Sequence, residues 1–229
     1  MKKFVFLLLL FPLLLISSCL DDEGYSLGDA WIDFGVVNKS GSGFLDFSVK
    51  TDHGELLYPV SSEISFDIED KNRILINYTI LGEKNTSGAN EEFYIKINSI
   101  RKILKKGILE ITEGNKDSIG NDPVIVTDHW MANNLLNFKL KYYGDYQVHF
   151  INLVKKPGPV SVADQPVELE LRHNRNGDQE RFPFAAYVSF DLSAITIAGR
   201  DSVRFKVSSE NYDGDMVTFT GVYKYGKSN

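Results

Sequence analysis

The sequence predicts an all-β protein in two parts. Three observations carry this reading. Apolar and polar residues alternate along most of the chain, no segment holds a long helical period capped at both ends, and one polar, turn-rich stretch divides the alternating segments into two groups.

In the first group, strands are expected at Asp29–Val37, Leu45–Lys50, Arg73–Gly82, Glu92–Asn98 and Gly107–Thr112. Asp52-His53-Gly54-Glu55 reads as a turn leading into Leu56–Tyr58. The dividing stretch is Glu113–Pro123, which contains Gly114, Asn115, Asp117, Gly120, Asn121 and Pro123. In the second group, Leu136–Tyr142 places its apolar and polar residues on opposite faces. Gly144-Asp145 then predicts a two-residue hairpin turn, with the return strand running from Tyr146 to Leu153. Lys155–Pro159 is a loop stiffened by Pro157 and Pro159. Val167–His173 alternates cleanly, and Asn176-Gly177 predicts a second hairpin returning through Phe184, Ala186, Val188, Phe190 and Leu192. Val203, Phe205 and Val207 mark a further strand. Asp213-Gly214-Asp215 turns into the last one, which carries Phe219, Tyr223 and Tyr225. The strand counts suit a small barrel followed by a sandwich, although pattern alone does not separate the two architectures.

The beginning of the chain carries a different signal. Lys2 and Lys3 precede an apolar run from Phe4 to Ile16, broken only by Pro12. The run is short for a spanning helix, which needs roughly 20 apolar residues, and it has the form of a secretory h-region. Ile16-Ser17-Ser18-Cys19 resembles a bacterial lipobox, with small residues giving a peptidase access to the bond before the cysteine. Residues 1–18 are therefore expected to be removed, and Cys19 to be lipidated through its thiol. Cys19 is the only cysteine, so no intramolecular disulfide can form. Residues 19–28 then form an acidic tether. In it, Asp21, Asp22 and Glu23 resemble the surface-export signal of Bacteroidetes lipoproteins. The outer membrane is the expected location, with its outer face preferred over its periplasmic face.

Loss of residues 1–18 removes two lysines and no acids, taking the net charge from −6 to −8. An acidic surface disfavours nucleic acid and anionic lipid as partners. The expected partners are the membrane, through lipid on Cys19, and a protein or glycan of unspecified identity. Aromatic residues at 12% allow a substantial core.

Five stretches carry a family resemblance: Ala30–Gly35, Lys50–Gly54, Arg73–Tyr78, Ser118–Pro123 and Leu171–Asn174. In order and spacing they resemble the NigD-like lipoproteins of Bacteroidetes. The resemblance implies an N-terminal OB-type barrel at residues 29–113 and a C-terminal antiparallel β-sandwich at 120–229. It implies no established biochemical role. The family's name connects it with a bacteriocin-related locus.

No catalytic signature is present: there is no Gly-x-Ser-x-Gly elbow, His-Glu-x-x-His, Walker loop or Gly-x-Gly-x-x-Gly. Ser99 and Lys102 have the spacing of a Ser-Lys pair but lack its companion boxes. His53, His129, His149 and His173 show no metal spacing, and no cofactor or metal is expected. His149 and His173 fall on neighbouring expected strands and could meet in space. Asn174–Asp178 faintly resembles a calcium loop but reads better as a turn. The basic residues Arg101, Lys102, Lys105 and Lys106 read as a solvated strand face. Asp117-Ser118-Ile119 and Asp201-Ser202-Val203 resemble a Bacteroidetes O-glycan acceptor pattern, which makes Ser118 and Ser202 candidate modification sites. The leading expectation is a non-enzymatic envelope binding protein. The alternatives are a hydrolase using paired carboxylates and a bacteriocin-related immunity role.

Overall fold

The computed structural model describes residues 25–85 and 90–225. Cys19 and the acidic Asp21, Asp22 and Glu23 lie outside the described residues.

The first five strands are β1 (Trp31–Lys39), β2 (Phe47–Thr51), β3 (Leu56–Ser62), β4 (Arg73–Asn85) and β5 (Glu92–Gly107). They lie in the order β3-β2-β1-β4-β5, and β5 pairs back onto β3 to close a barrel. Closure removes exposed strand edges and leaves the alternating apolar residues to fill the interior. Val37, Val49, Leu57, Ile74, Ile76, Ile95 and Ile97 form that core. The Asp52–Glu55 turn joins β2 to β3 as expected, with Gly54 at φ 100°.

The chain continues through β6 (Leu109–Glu110), the one-turn helix α1 (Lys116–Ile119), β7 (Ile125–Ala132), β8 (Leu135–Gly144), β9 (Phe150–Lys155), β10 (Val167–Asn174), β11 (Phe182–Asp191), β12 (Ser202–Glu210) and β13 (Met216–Lys224). Two sheets face each other. One extends the barrel as β5-β11-β8-β7, and the other runs β13-β12-β10-β9-β6. Phe138, Leu140, Leu153, Leu171, Val188, Phe190, Phe205 and Val207 fill the space between them. The protein is thus an OB-type barrel followed by a β-sandwich. Its pairings are mostly antiparallel, with parallel contacts at β3–β5, β5–β11, β10–β12 and β6–β9.

Two turn expectations are corrected. The Gly144-Asp145 segment does not close a hairpin, because β8 pairs with β7 and β11 whereas β9 pairs with β10 and β6 in the opposite sheet. Asn176 and Gly177 do adopt positive φ, 56° and 73°. They turn the chain from β10 in one sheet to β11 in the other. In each case the local turn chemistry was present, but it does not determine which sheet receives the next strand.

The third difference is β5. It runs on through the basic segment to Gly107, so that one strand belongs to both halves. The strand expected at Gly107–Thr112 shrinks to the two residues of β6.

Candidate functional site

The face of β8 that points away from the sandwich core meets the barrel. Cross-strand register places Trp130, Asn137 and Ser189 in one row across β7, β8 and β11. Asp128, Lys139 and Tyr187 form the neighbouring row. These two rows have different fates.

The first row is sealed over Asn137 and Ser189, while Trp130 borders the second. Arg73, at the start of β4, enters the first row with a fully buried side chain. Its guanidinium grips Asp52 with two parallel bonds, Nη1 to Oδ1 at 2.5 Å and Nη2 to Oδ2 at 2.6 Å. Nη2 also donates to Asn137 Oδ1 at 3.0 Å, and Nε donates to Ser189 Oγ at 3.2 Å. Ser189 in turn donates to Asn137 Oδ1, and Trp130 Nε1 donates to Asp52 Oδ2. A planar, permanently charged fork suits this role, because each donor has a fixed partner. Phe34 from β1 lies against the guanidinium, 5.4 Å from its ring centre, and packs on Trp130 and Tyr187 at 5.1 and 5.0 Å. The barrel and sandwich are locked by one cation whose partners come from both.

The second row stays open and forms the floor of a groove. Its cavity is about 290 Å³, between Ile32, Asp33 and His53 on the barrel and Asp128, Lys139 and Tyr187 on the sandwich. Pockets at domain junctions are frequent ligand sites. Tyr78 donates to Asp33 Oδ2 at 2.8 Å. The exposed His53 stands 3.7 Å from the other Asp33 oxygen, beyond hydrogen-bond reach. Burial pushes the Tyr78 phenol pKa up, and its bond to Asp33 adds to the shift. Lys139 lies over the Tyr187 ring at 5.9 Å. A larger, open depression of about 850 Å³ beside α1 is walled by charges, the exposed Lys116 and the half-buried Glu170 and Arg172, and the last two pair with each other.

A second polar cluster sits at one end of the sandwich. His149 and His173 do meet, with Nδ1 of the first 2.8 Å from Nε2 of the second. His173 Nδ1 faces the Pro123 carbonyl at 2.8 Å, and His149 Nε2 faces Asp178 Oδ2 at 3.1 Å. Both rings are buried. Because the two ends of this chain are pure acceptors, satisfying all three contacts takes three protons on four ring nitrogens. Burial pushes the Asp178 carboxyl up. The Asp145 backbone N–H, His149 and the backbone N–H groups of Gln179 and Tyr146 outweigh that effect and hold it down to about 2. For His173, burial pushes the pKa down, against the Pro123 bond that raises it; the positive field of His149 lowers it further. Asp178, part of the segment that faintly resembles a calcium loop, is fully engaged inside the protein.

The other sequence-derived residues are scattered. Ser118 is exposed on α1 rather than in a loop, and its hydroxyl donates to Asn115 O. Ser202 is half-buried at the start of β12 and donates to Asp201. Lys102 pairs with Asp67 across the barrel surface, and His129 stacks on Phe219 at 4.1 Å. Lys106 is not a solvated residue. Its ammonium donates to Ile151 O and Asn152 Oδ1 in the opposite sheet. The Arg73 network was missed in the sequence. Its available signal was a charged residue opening the otherwise apolar run Arg73-Ile74-Leu75-Ile76. Among the described residues, no group of three or more His, Cys, Asp or Glu side chains is placed to hold a metal ion.

Residues 35–103 match the NigD-like N-terminal OB domain, and residues 107–223 match the NigD-like C-terminal beta sandwich domain. The chain belongs to the NigD-like family. A solved structure from Parabacteroides distasonis, described as a toxin-related protein, is 27% identical with a TM-score of 0.72, over 86% of this chain and 94% of that one. A protein of unknown function from Bacteroides vulgatus is 26% identical with a TM-score of 0.68, over 88% and 93%. A NigD-like immunity protein from Bacteroides caccae shares the fold at 20% identity and a TM-score of 0.62, over 87% and 99%. No curated protein matches the chain. Of the five stretches that carry the resemblance, the first three supply Asp33, Phe34, Asp52, His53 and Arg73 to the domain junction. The last two supply Pro123 and His173 to the histidine cluster.

Proposed function

We propose that this NigD-like protein is a lipid-anchored binding protein of the bacterial envelope, and that it recognises its partner through the groove at the domain junction without chemistry on it. The carrying observation is the open Asp128–Lys139–Tyr187 row beside a sealed one. It is a concave polar and aromatic surface held on rigid strands rather than on loops. Against a hydrolase built on paired carboxylates stands the engagement of Asp52, whose two oxygens accept from Arg73 and Trp130. A toxin-related role, as the name of the Parabacteroides distasonis protein suggests, would need the same kind of recognition surface.

Full-length protein in detergent, immobilised and exposed to envelope extract, tests the reading. One molecule should be retained in stoichiometric amount and lost from a Lys139→Glu variant that melts at the same temperature. Equal retention by both proteins would move the site elsewhere.

Cys19 supports anchoring to the outer membrane. It stands six residues before Tyr25, which packs on Trp31 and Phe93 at the edge of the barrel. Such a tether reaches roughly 20 Å when extended and would hold the barrel close to the lipid. Among the described residues, no helix is long and apolar enough to cross a membrane. Cys19→Ala should release the protein from membranes. Joint replacement of Asp21, Asp22 and Glu23 by Ala should lower protease accessibility on intact cells. A mass shift on Ser118 or Ser202 in protein from the native host would identify either as a glycan acceptor.

A further inference from the structure

We propose that the junction groove binds a neutral sugar ring, an assignment that rests on the groove being the binding site. The argument is one of charge balance and surface type. Three carboxylates line the groove, so an anion would meet repulsion from Asp33 and Asp128. For a cation, Arg73 already lies against Phe34 and Lys139 already lies over Tyr187, so of the three aromatic rings lining the groove Trp130 alone lacks a cation beside it. Asp52 is neutralised by Arg73. Lys139 stands directly across from Asp128 in register, and the two formal charges cancel along the open row.

What remains is a surface whose one uncompensated charge is the Asp33 carboxylate, one oxygen of which already accepts from Tyr78. It offers hydrogen-bond donors on Lys139 and His53 and acceptors on Asp128 and Asp33. Between them lies apolar area on Tyr187, Trp130 and the exposed Ile32. A pyranose has the complementary form. Hydroxyls around its rim donate and accept, and one ring face presents polarised C–H bonds that the negative face of an aromatic ring attracts. The cavity of about 290 Å³ lies at the small end of ligand sites and suits one sugar ring with its neighbours left in solvent. Since the floor consists of strand residues in register and the barrel wall is locked by Arg73, binding would need little ordering of the protein.

The test uses intrinsic fluorescence. The chain has two tryptophans, and Trp31→Phe leaves Trp130 in the groove as sole reporter. Full-length protein in detergent is titrated with neutral oligosaccharides built from glucose, mannose, galactose or N-acetylglucosamine. Oligogalacturonate serves as the anionic counterpart and trilysine as the cationic one. The expected result is saturable quenching by a neutral sugar, with affinity unchanged between 50 and 500 mM salt. It should weaken at least tenfold in Asp128→Ala and in Lys139→Met, each retaining the parent melting temperature. Tightest binding by either charged probe, with salt-dependent loss, overturns the assignment, as does the absence of quenching by every neutral sugar. In either event, groove-dependent capture from envelope extract would leave the groove as the binding site for a ligand of another class.

Discussion

The buried Arg73 and His149–His173–Asp178 clusters solve the same problem differently. The Arg73 cluster joins barrel to sandwich through one planar guanidinium, whose N–H groups reach Asp52, Asn137 and Ser189. The His149–His173–Asp178 cluster pins the β8–β9 connection to Pro123 and Asp178 with rings whose hydrogen bonding depends on how many protons they hold. The second is sensitive to pH through His173. The interdomain geometry, and with it the groove, rests on the Arg73 fork.

The largest expected effect comes from breaking the lock. Arg73→Met leaves the Asp52 carboxylate without its counter-charge and removes one donor each from Asn137 Oδ1 and Ser189 Oγ. Removing one member of a buried ion pair costs about 3–5 kcal/mol, and urea unfolding of the full chain should show a loss of that size. A loss below about 1 kcal/mol would mean that the junction is held by packing alone. Asn137→Ala should cost less, about 1–3 kcal/mol, because Arg73 keeps its two bonds to Asp52 while one guanidinium N–H and the Ser189 hydroxyl lose an acceptor. The histidine cluster can be disturbed sterically without touching its titratable groups. A methyl group at Gly144 would stand 2.9 Å from His149 Nε2 and 3.0 Å from Asp178 Oδ2. Gly144→Ala should therefore destabilise the protein by about 1–3 kcal/mol, the usual range for overpacking. An unchanged melting curve would show that His149 can retreat at no cost.

The sequence revealed the strands well and the site poorly, for one physical reason. A period of two separates the faces of a strand but does not say what covers the polar one. Asn137, Lys139 and Ser189 look alike in pattern, yet the barrel seals Asn137 and Ser189 and leaves Lys139 exposed. The basic residues of β5 misled in the same way, since Lys106 reaches across to β9 instead of facing water. Gly144-Asp145 and Asn176-Gly177 carried genuine turn chemistry, and sheet membership was not encoded in it. The meeting of His149 and His173 was legible because Ile151 sits opposite His173 on adjacent strands. The proton count of that pair was not, because it depends on the Pro123 carbonyl arriving from a distant segment.

The last and smallest expected effect separates the clusters by pH. Burial lowers the His173 pKa below the ordinary value of about 6.5. Between those two values the unfolded chain binds a proton that the folded chain refuses. Stability from this residue is therefore fully present above about 6.5 and lost as pH falls towards the folded value. Its slope is at most about 1.4 kcal/mol per pH unit for one proton. The structural cause is the proton inventory: a fourth proton would set an N–H of His173 against an N–H of His149 across 2.8 Å. Asp178 acts in a separate window, because its pKa of about 2 keeps its contribution intact until pH drops below the unfolded carboxylate value of about 3.9. Urea midpoints measured from pH 7.5 to 5 should fall for the parent and flatten in His173→Gln, whose amide can still donate to Pro123 and accept from His149 but cannot titrate. The comparison is between slopes, so a uniform loss of stability in the variant does not affect it. Parallel slopes in the two proteins would place the acid sensitivity elsewhere and leave the histidine couple as fixed a feature as the Arg73 lock.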